Sequence, residues 1–185
     1  IVRDLFQDSK PESGYVMNQN PVEFRPFEEK DARFCFYTRA SAFIYVFHEH
    51  LGTENVVAGV NAYMPEDFQS MTRFIKIFIM EESDKPLGFC TVKRIDERRA
   101  EIPLIYFDLK ERGKGHGRRA MDFIESWVRM HWPEVNTIFL DTIVPGYNGA
   151  FYERIGYRPA GSSVVRFPEM DVKSIRYEKL ISKGK

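Results

Sequence analysis

Arg112-Gly113-Lys114-Gly115-His116-Gly117-Arg118-Arg119 decides the reading of this chain. Three glycines interleaved with cations let the backbone come close to a ligand and aim successive N–H groups into one concavity. From Lys110 to Arg119 there are five Lys or Arg and one Glu, a local excess of four positive charges. Downstream, Ala120, Met121, Phe123, Ile124, Trp127 and Val128 repeat at helical spacing, and Arg118, Arg119, Asp122, Glu125 and Arg129 take the other face. The glycine stretch therefore opens a helix, whose N-terminus adds about half a positive charge. The pattern is a site for a pyrophosphate. It is neither a Walker loop, which needs G-x-x-x-x-G-K-[ST], nor a dinucleotide fingerprint, because Arg118 stands where a third spaced glycine belongs.

Upstream, Arg73–Met80, Leu87–Ile95 and Glu101–Leu109 are strand-like and joined by the polar turns 81–86 and 96–99, which predicts an antiparallel meander. Farther back, Val22–Phe27 is a short strand, residues 31–50 a helix, 52–59 a break and 60–72 a further helical turn. After the central helix, which Pro133 ends, come a strand at Thr137–Ile143, a turn at Pro145-Gly146, a short helix over Asn148–Arg154 ended at Gly156, and two last strands near Tyr157–Pro159 and Ser174–Ile181. Residues 1–20 are a polar lead-in segment.

The order strand, helix, meander, glycine loop, helix, strand, short helix, two strands resembles the GNAT superfamily of acyl-CoA-dependent N-acetyltransferases. Arg112, Gly115 and Gly117 match the fixed positions of its Q/R-x-x-G-x-G/A loop. Phe151-Tyr152-Glu153-Arg154-Ile155-Gly156-Tyr157 matches a second family block, and the resemblance spans about residues 21–182. It implies one α/β (α+β) domain, a mixed, mostly antiparallel central sheet flanked by helices. It also implies acetyl transfer from acetyl-CoA to a primary amine by direct attack. The acyl-CoA residues so implied are Phe107, Leu109, Arg112, Gly113, Lys114, Gly115, His116, Gly117 and Arg118. Many members place an Asn seven residues before the tyrosine, where this chain has Pro145; Asn148, one helical turn before Tyr152, is the substitute candidate.

Acetyl transfer needs an acid for the leaving thiolate and a base for the amine. Tyr152 is the acid by resemblance and by chemistry. Glu101, eleven residues before Arg112, stands where the histone-acetyltransferase branch carries its glutamate base; Asp108 and Asp141 are weaker candidates. A hairpin charge paired with Arg98 or Arg99 explains Glu101 equally well, and an acyl-CoA-binding regulatory module without catalysis is the rival for the whole chain. An acceptor pocket is expected from residues 31–72.

The 185 residues suit one domain. Twenty-seven Lys or Arg balance 27 Asp or Glu, so no global charge draws the chain to nucleic acid or an anionic membrane. No apolar run reaches the ~18 residues that span a bilayer, and Arg3, Asp4, Gln7, Asp8 and Lys10 interrupt any signal-peptide core. Two cysteines, Cys35 and Cys90, and four histidines without metal spacing argue against a disulfide scaffold or a metal site and suit a reducing cytoplasm. The expected partner is a small-molecule or peptide amine, with a homodimer allowed.

Overall fold

The computed structural model describes residues 21–144 and 149–181. The lead-in 1–20, the Pro145-Gly146 turn and Asn148 lie outside the described residues.

The chain begins with strand β1 (Glu23–Pro26) and then three helices, α1 (Ala32–Leu51), α2 (Thr53–Asn61) and α3 (Pro65–Met71). Strands β2 (Lys76–Glu82) and β3 (Lys85–Arg94) form a hairpin. Its turn residues Ser83 and Asp84 both have positive φ (52° and 61°), the backbone twist that two-residue hairpins favour. Next come β4 (Arg99–Glu101), β5 (Ile105–Phe107), helix α4 (His116–His131), β6 (Thr137–Ile143), α5 (Gly149–Arg154), β7 (Arg158–Arg166) and β8 (Asp171–Leu180). The strands form one sheet in the order β1-β2-β3-β4-β6-β8-β7, with β5 also on β3. Every pairing is antiparallel except β4 with β6. The expected architecture is thus the observed one.

Two expectations are corrected. Residues 52–59 are not a break: only Gly52 interrupts, and α2 starts at Thr53. Gly59, which reads as a helix breaker, sits inside α2 because the Phe43 ring of α1 fills the space where a side chain would stand. The third meander strand is not continuous over 101–109. Pro103 has no N–H to give to a ladder, and the strand divides into β4 and β5, both antiparallel to β3. The buried Thr91 hydroxyl spans the break: it accepts from Leu104 N–H at 2.9 Å and donates to Leu104 C=O at 3.1 Å. Leu109 has already left the strand for a 3₁₀ turn, Leu109–Glu111.

α4 lays Ala120, Met121, Ile124 and Val128 on one face of the sheet, all with no exposed surface. Burying the larger of these side chains stabilises by about 1.5–3 kcal/mol each. α1 and α3 cover the opposite face over Ile77, Ile79, Phe89 and Leu104. Cys35 and Cys90 are both free and buried, in the cores of opposite faces.

Candidate active site

The glycine loop connects β5 to α4. Asp108 Oδ1 accepts from Lys110 N–H at 2.9 Å and fixes the 3₁₀ turn that starts it. Gly115, at φ 83°, ψ 5°, is the N-cap of α4 in the left-handed region, where an L-residue costs about 1–2 kcal/mol. The first turn of a helix has no intrahelical carbonyl for its N–H groups; here the ladder begins with Arg119 N–H on Gly115 C=O. Above Gly113 and Gly115 there is no atom within 4 Å of where a Cβ would stand. The cup is therefore open, lined by N–H donors, and fits the pyrophosphate of an acyl-CoA.

Not every loop cation faces that cup uncompensated. Lys114 pairs with Glu111 at 2.9 Å and Arg118 with Asp122 at 3.2 Å. Among the described residues Lys110, Arg112 and Arg119 have no acidic partner, and the Arg112 guanidinium stacks 4.4 Å from the centre of the Tyr45 ring. His116 contributes only backbone to the cup. Its ring is buried, with Nε2 3.2 Å from Glu111 and the ring centre 6.1 Å from that of Phe107. Gly117 is needed for a different reason from Gly115: a Cβ there would lie 3.2 Å from Phe151 Cζ, so α4 can approach α5 this closely only through a glycine.

Beside the loop the sheet opens. β4 runs parallel to β6 as far as Glu101 opposite Phe139, and Ile102 N–H still reaches Phe139 C=O at 2.8 Å. Beyond that point β5 stays on β3, while β6 continues with β8 as its partner. Asp108 N–H bonds Leu87 C=O and Thr91 N–H bonds Leu104 C=O, both at 2.9 Å. The alternation of an antiparallel ladder then turns the N–H and C=O of Ile105 and Phe107 away from β3, into the gap. Phe107 thus turns a backbone donor and acceptor into the gap, whereas the Leu109 carbonyl is taken up inside the 3₁₀ turn, where it accepts from Arg112 N–H at 3.4 Å.

The gap leads into a cavity of about 620 Å³. Helix α1 supplies Arg39, Phe43 and Phe47, and the turn between α2 and α3 supplies Tyr63; the split strands supply Ile105, Tyr106 and Asp141; α5 supplies Phe151 and Tyr152; and the β7–β8 turn supplies Phe167. Burial pushes the Tyr152 phenol well above its ordinary pKa, with Tyr106 adding to the effect. Tyr152 packs among the rings of Phe151 (5.0 Å), Tyr177 (6.0 Å) and Tyr157 (6.3 Å). Glu101 does not line the cavity. It sits at the point where the strands part, cross-strand from Lys93 and Phe139. Burial and then the nearby Asp141 raise its pKa, against the opposing pull of Lys93 and Arg176. Asp141 does line the cavity, with its carboxylate held by Arg176 at 3.0 and 2.7 Å.

A profile of the acetyltransferase (GNAT) family matches residues 44–157. The chain belongs to the GNAT family. Its fold is shared with many solved GNAT structures. PaiA N-acetyltransferase from Thermoplasma acidophilum, solved with coenzyme A, superposes at TM-score 0.72 with 15% identity, over 86% of this chain and 99% of that one. Spermidine N-acetyltransferase from Vibrio cholerae, in complex with CoA and spermine, gives 0.64 with 20% identity, over 88% and 96%. The ribosomal-protein-S18-alanine N-acetyltransferase from Escherichia coli gives 0.65 with 15% identity, over 89% and 97%. No curated protein matches the sequence significantly.

In this GNAT chain the loop and the α5 block, the two candidate halves of a site, are both local sequence motifs. The cavity's inner wall was only half legible. Helices from 31–72 do form part of it, but Arg39, Tyr63, Tyr106 and Phe167 are not motif residues, and only the alternation of Ile105-Tyr106-Phe107 hints that Tyr106 faces away from its neighbours. Among the described residues no group of three or more His, Cys, Asp or Glu is placed to hold a metal, and no helix is long and apolar enough to cross a membrane.

Proposed function

We propose that this protein transfers the acetyl group of acetyl-CoA to a primary amine bound in the cavity, by direct attack of the amine nitrogen on the thioester carbon. One observation carries the reading: the first turn of α4, at the donor-lined cup, approaches Phe151 through Gly117, and Phe151 and Tyr152 line the cavity into which the gap between β5 and β6 opens. Acetyl-CoA, as co-substrate, supplies the thioester. The backbone N–H groups at Gly113–Arg118, with Arg112 and Lys114 nearby, hold its pyrophosphate. The Phe107 N–H turned into the gap hydrogen-bonds the acyl-CoA arm, and Leu109 and Asn148, the residue before α5 in the sequence, are the further candidates for it.

The protons then have assigned carriers. Glu101, acting through water, takes the proton that the amine must lose; its raised pKa makes it a stronger base than an exposed carboxylate. Tyr152 serves the departing thiolate. A thiol has a pKa of about 8.5 and a free phenol about 10, and burial moves Tyr152 further up. Complete transfer from Tyr152 is therefore uphill by more than about 2 kcal/mol. Tyr152 therefore stays protonated across the working pH range, donates a hydrogen bond to the departing sulfur, passes its proton late, as the C–S bond breaks, and recovers one from water. The free, buried thiols of Cys35 and Cys90 support a cytoplasmic setting for this chemistry.

Tyr152→Phe tests the assignment because it removes only the hydroxyl. The chemical step should slow by roughly 10²-fold, with acetyl-CoA affinity and thermal midpoint near wild type. A variant that turns over at the wild-type rate, with chemistry rate-limiting, would return Tyr152 to a packing role. Acetyl-CoA binding without acetylation of any amine would favour a regulatory binding module.

A further inference from the structure

Arg39 is the least expected residue in the cavity wall. It sits in mid-α1, is only 4% exposed, and has no carboxylate within ion-pair distance among the described residues. Its Nη2 donates to Gly59 C=O at 2.8 Å and its Nη1 to Val60 C=O at 3.2 Å. The guanidinium lies 4.5 Å from the centre of the Tyr63 ring and 5.6 Å from that of Phe43, with the Tyr106 phenol nearby. Nε, sealed from solvent, donates to nothing. A guanidinium carries five N–H donors and one full charge, and here neutral carbonyls, rings and a phenol are all that answer it.

Burial lowers the Arg39 pKa, but an arginine keeps its charge inside a protein. A buried cation without a counter-ion is costly. A packing role is served better by Leu or Met at the same place on α1, so the charge itself calls for an explanation. It faces a cavity whose other walls are mostly aromatic and aliphatic. The other charged groups at the cavity are Asp141, held on the strand floor by Arg176, and Arg166, exposed at the rim of the β7–β8 turn. Arg39, Tyr106 and Tyr152 line the same cavity, so the buried cation borders the space that the reacting groups share.

We infer that the acceptor carries a carboxylate that pairs with Arg39, and that its class is an amino acid with an apolar or aromatic side chain. This rests on the acetyl-transfer reading for the amine half of the acceptor. The amine lies toward Tyr152 and Asp141, the carboxylate toward Arg39, and the apolar body between Phe43, Phe47 and Phe167. The same arrangement disfavours a polyamine, whose second and third cations would meet a buried guanidinium.

Two measurements test this separately from the transfer reaction. In the first, calorimetry follows 3-phenylpropionate and 3-phenylpropan-1-ol binding to the CoA-saturated protein. The acid should bind at least tenfold tighter than the alcohol, and Arg39→Gln should remove that preference. Equal binding of the two by wild type, or a preference that survives Arg39→Gln, overturns the anion site. In the second, kcat/KM is compared for phenylalanine, phenylalanine amide and spermidine. Wild type should favour the free acid over the amide at least tenfold and over spermidine by more, and in Arg39→Gln the acid-to-amide ratio should approach one. That ratio is read within one protein, so a general loss of folded enzyme cancels from it. Preference for the amide or for spermidine in wild type overturns the proposal. If 3-phenylpropionate binds through Arg39 while no amine is acetylated, the carboxylate site stands and the transfer reading falls.

Discussion

Gly117→Ala adds one methyl group at the point where α4 meets α5. The new Cβ would stand 3.2, 3.6 and 3.9 Å from Phe151 Cζ, Cε2 and Cε1. The first distance is inside ordinary contact, so the ring must retreat by a few tenths of an ångström. Overpacking of this kind costs about 1–3 kcal/mol, against about 0.5–1 kcal/mol gained by replacing glycine with alanine in a helix. The net loss of stability should be at most about 2.5 kcal/mol. Function should suffer as well. Phe151 lines the cavity and its ring centre is 5.0 Å from that of Tyr152. A misplacement of about 1 Å at a reacting group can cost 10²-fold, so a few tenths should lower kcat by roughly three- to tenfold. The assay is a double-mutant cycle with Phe151→Leu, which removes the crowded Cζ. Thermal unfolding and kcat should both show coupling, with the Gly117→Ala penalty shrinking in the leucine background. Gly115→Ala is the control: its penalty comes from a φ of 83° in open space, about 1–2 kcal/mol, and should add to Phe151→Leu without coupling. A Gly117→Ala cycle that is additive within about 0.5 kcal/mol would refute the claim that this glycine sets the pose of α5.

Glu101→Gln should lower the rate at neutral pH, leave acetyl-CoA affinity intact, and lose less at high pH. Because Asp141 helps raise the Glu101 pKa, Asp141→Asn should move the acidic limb of the pH–rate profile to lower pH; an unmoved limb would detach Glu101 from proton transfer. Asn55→Ala should cost about 1–3 kcal/mol, since the 2%-exposed amide donates to Leu51 C=O at 2.8 Å and accepts from Glu169 N–H at 3.0 Å. As this bond ties α2 to the turn bearing Phe167, the acceptor KM should rise more than kcat falls in steady-state kinetics. Asp31 is pulled up by burial but further down by the Arg25 hydrogen bonds and Glu28 N–H, so its folded pKa is below the ordinary value. Its contribution is complete above the unfolded pKa of about 4 and is lost as pH falls through the folded one; Arg25→Met should therefore destabilise by about 3 kcal/mol at pH 7 and by less at pH 3 in denaturant titrations.

What the sequence made legible follows from where its signals are local. The cup before α4 could be read because its glycines and cations are consecutive, and α4 because its apolar face repeats cleanly. The division of β4 from β5 had one local mark, Pro103, but its repair by Thr91 depends on a residue twelve positions earlier across the hairpin. α1 is aromatic on all sides, so its period could not say which face meets the cavity. Arg39 reads as a surface charge on such a helix; only the approach of α2 through Gly59, whose carbonyl takes the Nη2 proton, buries it.

The placement of Tyr152 is a tertiary effect in the same sense. α5 spans only Gly149–Arg154, too short to be stable alone, so its orientation must come from outside. α4 supplies it at two points. At its N-terminal end Gly117 lets Phe151 close in. Two turns later the buried Glu125 carboxylate receives Lys179 from β8 at 2.7 and 2.9 Å and the Tyr157 hydroxyl at 3.4 Å, while Tyr157 N–H bonds the Tyr152 carbonyl at 3.0 Å. The helix whose first turn lines the donor-lined cup is therefore also the helix that aims the phenol. Both halves of the site are referenced to one rigid element, and the distance between cup and phenol is set by packing along α4 rather than by either loop.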